Sequence, residues 1–276
     1  MPVVAYREYR AYERQRIETN NAMMGLLAGS KLASQLLVLT DGASRPLSEI
    51  FPSIEHIERF NLRSDLARSV LDDAEDLLGI LPVPQVLALH EHLFRSMLEV
   101  AAPGNSRLLD NLGTSNIHER FAETVSAVFP SEALELFHYL RVARNSHIHT
   151  GGFTTKSLAT RSAGLSRDAE ALWNTVAGSP LRRYQVGDRV RIGISELTGA
   201  LALTKRLAEV ANVGLQGFLS RDQWADLLVE DWASEVRQGD ITQKLRSLKG
   251  FAKMHGYREL SLTQEVLRSA LERHLA

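Results

Sequence analysis

Apolar residues recur at spacings of three and four along almost the whole chain, and Gly, Pro and Asn-rich stops cut that periodicity into segments of helical length. Such a pattern commits the backbone to amphipathic helices whose apolar stripes must cover one another. Residues 5–39 read as one long helix or two in succession, charged at first and apolar later, with a stop at Thr40-Asp41-Gly42. Residues 53–78 place Ile54, Ile57, Phe60, Leu66, Val70, Leu77 and Leu78 on one stripe, closed by Gly79, Pro82 and Pro84. Residues 84–102, 116–128 and 131–150 give three more helices, with Ser131 placed as an N-cap and Gly151-Gly152 as the last terminator. Residues 153–179 are rich in Ser, Thr and Gly and hold one short helix at 167–176. Residues 184–192 alternate around Gly187-Asp188 and read as a small β-hairpin. Ser195 then caps a helix reaching to about residue 210, and helices at 221–236, 241–254 and 263–274 complete the chain.

The expected fold is therefore all-α, an antiparallel helical bundle with one small hairpin and a short helical C-terminal segment. Gly214 and Gly217 mark the boundary, giving a main domain at 1–214, its core at about 53–210, and a C-terminal segment at 215–276. At 276 residues and 44% hydrophobic content the chain can bury a full core. A formal charge of -1 excludes a protein that holds nucleic acid by bulk electrostatics and leaves only local basic patches. With no cysteine there is no disulfide, thiolate ligand or thiol nucleophile. The apolar stretch at 23–39 is interrupted by Gly25, Gly29, Ser30, Lys31, Ser34 and Gln35, so it reads as a core helix and not a membrane span. The first residues carry Arg7, Glu8, Arg10, Glu13, Arg14 and Arg16 where a secretory leader would be apolar, and a cytoplasmic location is expected.

Four familiar motifs fail on their letters. Leu89-His90-Glu91-His92-Leu93-Phe94 has Phe94 where a zincin helix needs its second histidine, and His90 and His92, two apart, point to different sides of a helix. Gly25 to Lys31 is one residue too short for a P-loop, and Leu32 replaces its magnesium-binding hydroxyl. Neither the dinucleotide fingerprint nor the Gly-x-Ser-x-Gly elbow is present.

One constellation remains. The helix at 131–150 carries Ala133, Leu136, Phe137, Leu140 and Ala143 on a stripe that continues into Arg144, His147 and Ile148, so an apolar face runs into polar groups. Its end reads Arg144-Asn145-Ser146-His147-Ile148-His149, followed by Thr150-Gly151-Gly152. These residue types suit RNA cleavage through the 2'-hydroxyl, which needs a proton acceptor, a proton donor and positive charge on the phosphorane. Histidine titrates near neutrality, a helix C-terminus favours its imidazolium, and arginine offers a planar fork to phosphate oxygens. Arg144 and His149 lie about 140° apart around an ideal helix, so one chain alone forms an incomplete site.

Arg144-Asn145, a three-residue spacer and His149, late in a helical bundle, resemble the signature of the HEPN superfamily, over about residues 53–210. That resemblance implies a metal-independent endoribonuclease without cofactor, in which a homodimer lines one cleft with two copies of the motif. Arg144 would orient the scissile phosphate, His149 would act as general acid or base, and Asn145 would hold the arrangement. His147 either assists or, as the favoured reading, packs beside Arg144. The resemblance also implies an RNA substrate such as tRNA or mRNA, and a toxin or anti-phage role with an antitoxin or regulatory partner. A non-catalytic helical adaptor that dimerises through the same helix is the alternative. Lys156 and Arg161 in the loop and Arg182-Arg183 before the hairpin are candidates for steering RNA, or plain surface. In the C-terminal segment, Asp226, Glu230, Asp231, Glu235 and Asp240 precede Lys244, Arg246, Lys249, Lys253 and Arg258. The two groups either pair with each other or leave the basic one to meet phosphates or an acidic partner.

Overall fold

The computed structural model describes residues 2–40, 44–235 and 240–275. Helix follows helix along them: α1 (Arg7–Leu37), α2 (Leu47–Ile50), α3 (Ser64–Asp72), α4 (Ala74–Leu77), α5 (Pro82–Ala101), α6 (Ile117–Val125) and α7 (Ser131–His149). Then come α8 (Lys156–Ala163), α9 (Arg167–Ala177), α10 (Ile194–Phe218), α11 (Arg221–Glu235), α12 (Ile241–Met254) and α13 (Gln264–Leu275). The protein is mostly helical, and among the described residues two isolated bridges, Pro46 with Arg63 and Phe153 with Arg189, are the only β pairing.

The chain divides into two compact units. The first comprises Met1–Arg16, Leu87–His138 and Ala202–Ala276. Its core joins Tyr6, Tyr9 and Tyr12 of α1 to Phe94 and Phe121, and to Trp224, Leu248, Phe251 and Leu271 of the C-terminal helices. Asn212 accepts from the Val4 amide and donates to the Val4 carbonyl, both at 2.9 Å, so the N-terminal backbone is satisfied by α10. The Arg10 guanidinium grips buried Asp231 with two nitrogens at 2.6 and 2.8 Å. Residues 215–276 are therefore built into this unit, and the expected boundary after Gly214 is corrected. Helix α10 runs straight through Gly214 and Gly217. A Cβ at Gly214 would lie 3.0 Å from the Ala127 Cβ, so that glycine serves close packing and not a linker. Buried inside the same unit, His90 and His118 face each other with Nε2 atoms 2.9 Å apart.

The second unit comprises Ile17–Val86 and Tyr139–Leu201. Trp173 and Tyr139, both fully buried, meet edge to face at 6.1 Å, and Tyr184 stacks on Tyr139. Three expectations change here. The stretch 53–78 is no single helix: the chain turns at His56 and Asn61, both at positive φ, and Leu47 donates to the Leu62 carbonyl while Ser64 donates to the Arg45 carbonyl. The segment 23–39 is helical but not core. Met24, Leu26, Leu32, Leu36 and Leu39 are exposed, and 11% of the most apolar window in Arg7–Thr40 is buried. That stretch and Ala74–Ala101 are long and apolar enough to cross a membrane by length and composition. The expected hairpin at 184–192 does not close on itself. The Tyr184 hydroxyl donates to the Arg191 carbonyl at 3.0 Å and lies 3.3 Å from the Arg191 amide, taking the groups a partner strand would use. The segment pairs instead with the chain leaving α7: Thr154 donates to Asp188, Gly187 to Thr154, and Val190 to Gly152.

Candidate active site

The C-terminal end of α7 is anchored by burial on more than one side. Tyr139, Leu140, Val142, Ala143 and Ser146 are all buried, which fixes the helix rotation and hence the direction of the residues between them. Arg144, Asn145 and His147 are half-buried, while Ile148 and His149 are exposed. The helix stops because Gly151 and Gly152 adopt φ of +65° and +84°, backbone that L side chains rarely take. Thr150 reinforces the stop, its hydroxyl lying 2.6 Å from the Ser146 carbonyl and 2.5 Å from that of Phe153. The Ser146 and Thr155 hydroxyls meet at 3.0 Å, and Thr155 caps α8 by accepting from the Leu158 amide. The turn after α7 is thus held at both ends.

Around that turn several polar groups converge. Arg144 donates through one terminal nitrogen to the Asn145 side-chain oxygen at 2.9 Å, and its Nε is buried with no partner among the described residues. His147 follows Arg144 by three residues, on the same side of the helix, and its Nδ1 is also buried without a partner among the described residues. A Cβ built on Gly152 would lie 3.7 Å from both the His147 Nδ1 and a terminal nitrogen of Arg189, so both side chains flank the glycine. Arg189 stacks its guanidinium over the half-exposed Phe153 ring at 4.4 Å. Thr154, 4% exposed, keeps its hydroxyl buried in the same turn, without a hydrogen-bond partner among the described residues. Among the described residues, Arg144, His147, His149 and Arg189 form no ion pair with any carboxylate. The arrangement is a cluster of hydrogen-bond donors and cationic groups suited to an anion with several oxygens.

The structure brings Arg144, Asn145 and His147 together and leaves His149 at the exposed rim. Lys156 is exposed in the first turn of α8, and Arg161 is half-buried in its last. Arg182 and Arg183 are occupied elsewhere in this unit. Arg182 bonds Asp76 at 2.5 Å and buried Glu196 at 3.3 Å, while Arg183 bonds Glu170 and the Ser162 carbonyl. Arg189, Phe153 and Thr154 are the residues sequence reasoning missed. The Gly-Gly stop was the available signal, since a chain reversing over glycine brings its next residues back against the helix end. No protein-family model, curated protein or solved structure matches this chain.

Proposed function

We propose that the chain is a metal-independent endoribonuclease of the HEPN type, built on a HEPN-like bundle and acting as a homodimer. The observation that carries this reading is the cationic cluster at the end of α7, where, among the described residues, buried Arg144 Nε and His147 Nδ1 lack partners and no carboxylate forms an ion pair with Arg144, His147, His149 or Arg189. In this reading Arg144 binds non-bridging oxygens of the scissile phosphate, with Asn145 holding its fork. His149 moves the proton. The 2'-oxygen attacks phosphorus as its proton passes to a base, the bond from phosphorus to the 5'-oxygen breaks, and that oxygen takes a proton from an acid. The products are a 2',3'-cyclic phosphate and a 5'-hydroxyl. One histidine cannot hold both roles in the same step, so a second must come from His147 or from the second copy. Phe153 under Arg189 offers a face on which a base stacks. The substrate is an RNA such as a tRNA or mRNA, and the biological role is that of a toxin or anti-phage effector held in check by an antitoxin or other regulatory protein.

The exposed apolar side chains Met24, Leu26, Leu32, Leu36 and Leu39 favour a second reading, a non-catalytic helical adaptor covered by a protein partner. Cleavage of end-labelled total RNA in EDTA separates the two. The ribonuclease reading predicts cutting by wild type and at least about a hundredfold less by Arg144→Ala or His149→Ala, the usual contribution of an acid, base or oxyanion contact. Equal cutting by folded variants, or an inert wild type, removes it.

A further inference from the structure

Among the described residues, the acidic and basic groups of the C-terminal segment do not neutralise each other. On α11, Asp231 is taken by Arg10, and Asp226 accepts from Arg273 at 2.6 Å. Among the described residues, Lys244, Arg246, Lys253 and Arg258 make no hydrogen bond or ion pair through their side chains, and Lys249 donates only to the Gln264 side-chain oxygen at 2.7 Å. Three of these cations share one pocket. Helix α12 buries Leu248, Phe251 and Ala252, which turns Lys249 and Lys253, four apart, together to the outside. The chain then reverses through Gly256 at φ +77° and Ser261 at φ +50°, with Tyr257 fully buried as the anchor between them. That reversal sets Arg258, Ser261 and the start of α13 against the two lysines. The resulting pocket of about 540 Å³ is lined by Lys249, Lys253, Arg258, Ser261 and Gln264 over an apolar floor, and no carboxylate of the described residues lines it. Glu259 and Glu265 lie nearby in sequence but outside the lining.

Three uncompensated cations repel one another, and an anion placed among them relieves that repulsion. The donors also differ in a useful way: the arginine is a planar fork, the lysines are mobile point charges, and a hydroxyl and an amide add neutral hydrogen bonds. That set satisfies the several oxygens of a phosphate better than the two of a carboxylate, and the volume is within the range of small-ligand sites. We infer that this pocket binds a phosphate-bearing ligand, with Lys249, Lys253 and Arg258 contacting the phosphate oxygens. The phosphate belongs either to a free phosphorylated small molecule or to an RNA backbone. Binding here is independent of the chemistry proposed at α7.

The test uses the full chain. Inorganic pyrophosphate is titrated by calorimetry, and a short labelled RNA oligonucleotide by fluorescence anisotropy at fixed salt. Wild type is compared with Lys253→Glu, Arg258→Glu and, as a control of equal charge change outside the pocket, Arg246→Glu. All three positions are exposed, and circular dichroism checks each fold. Saturable binding is expected to weaken at least about tenfold in both pocket variants and less than about twofold in the control. Pyrophosphate binding assigns the site to small molecules, and binding of RNA alone assigns it to the backbone. The inference is overturned if neither probe binds wild type, or if Arg246→Glu loses as much as the pocket variants.

Discussion

Acidifying the protein from pH 7 to pH 5 is expected to destabilise it through its buried histidine pair. His90 and His118 are fully buried among Phe94, Phe121, Phe129 and Phe137 and share one hydrogen bond between their Nε2 atoms. The Tyr12 oxygen lies 3.4 Å from His90 Nδ1, whereas His118 Nδ1 has no partner among the described residues. The tautomer that buries no lone donor has His118 donating to His90 and His90 turning its own N–H towards Tyr12. Burial pushes the His118 imidazole down to about 3, with the neighbouring His138 adding to the shift. Burial also holds His90 well below its usual range, reinforced by His118 and by Arg16. Beside the pair, His138 sits 3.6 Å from Glu119. In the unfolded chain both rings protonate near 6.5, so below that pH the unfolded state binds more protons and stability falls as pH drops. By pH 5 His118 alone removes about 2 kcal/mol, and His90, shifted in the same direction, adds to it; a domain has about 5–15 kcal/mol in all. The assay is urea unfolding at pH 7.5, 6 and 5, above the range where ordinary carboxylates titrate. Wild type is expected to lose stability steadily below pH 6.5. The double variant His90→Phe with His118→Leu, whatever its starting stability, is expected to lose much less. A wild-type midpoint flat between pH 7 and pH 5, or the same slope in both proteins, would refute the argument.

Single contacts give further expected outcomes. Asp231→Ala leaves the Arg10 guanidinium without its buried carboxylate and is expected to lower unfolding free energy by about 3–5 kcal/mol, read by denaturant titration. Tyr184→Phe removes the hydroxyl that occupies the Arg191 backbone and costs about 1–2 kcal/mol, with faster amide exchange across residues 184–192 as the local signature. Gly152→Ala forces an L side chain to φ +84° and is expected to cost about 1–2 kcal/mol through backbone strain alone, since its Cβ would make only ordinary contacts with His147 and Arg189. Denaturant titration of the variant against wild type reads that loss. Arg189→Ala is expected to reduce cleavage while leaving melting nearly unchanged, because its side chain is exposed and makes no ion pair among the described residues.

Long amphipathic segments with their own stop signals were legible. The helices α1, α5, α7, α11, α12 and α13 lie close to where apolar spacing and Gly or Pro punctuation place them. The stop at Asp41 and Gly42 lies outside the described residues. Helix α6 ends at Val125, short of the expected 128, because Ser126 turns the chain at φ +56°. Where local pattern and tertiary contact disagreed, the sequence misled. Residues 53–78 keep a helical period, yet pairing of Arg45 and Leu47 with the chain around Leu62 breaks it, a contact no local pattern encodes. Helix α8 is short and polar, with Leu158 and Ser162 its buried residues, so the Thr155 cap was its main signal. Ser131 opens α7 one residue inside the helix, after Pro130, whose carbonyl accepts from Leu134. Ser195 likewise lies inside α10, whose start is held by Glu196 accepting from the Gly193 amide at 2.8 Å. Gly214 carries the same letter whether it ends a helix or lets one pack tightly. At the candidate site, Arg144 and Asn145 were readable from spacing on one helix. Arg189 reaches the same turn only because the chain folds back over Gly152. His90 was correctly separated from His92, but its partner His118 lies 28 residues on, beyond any local periodicity.

If the α7 cluster cleaves RNA through the substrate's own 2'-hydroxyl, the cut ends carry the signature of that chemistry. An RNA cleaved by wild type in EDTA is prepared again with a 2'-deoxy sugar at the nucleotide 5' to the cut. The expected result is a 2',3'-cyclic phosphate and a 5'-hydroxyl from the all-RNA substrate, no cut in the deoxy substrate, and no cut of either by Arg144→Ala. Cleavage that persists through the deoxy sugar, leaves a 5'-phosphate or survives the loss of Arg144 would rule the mechanism out.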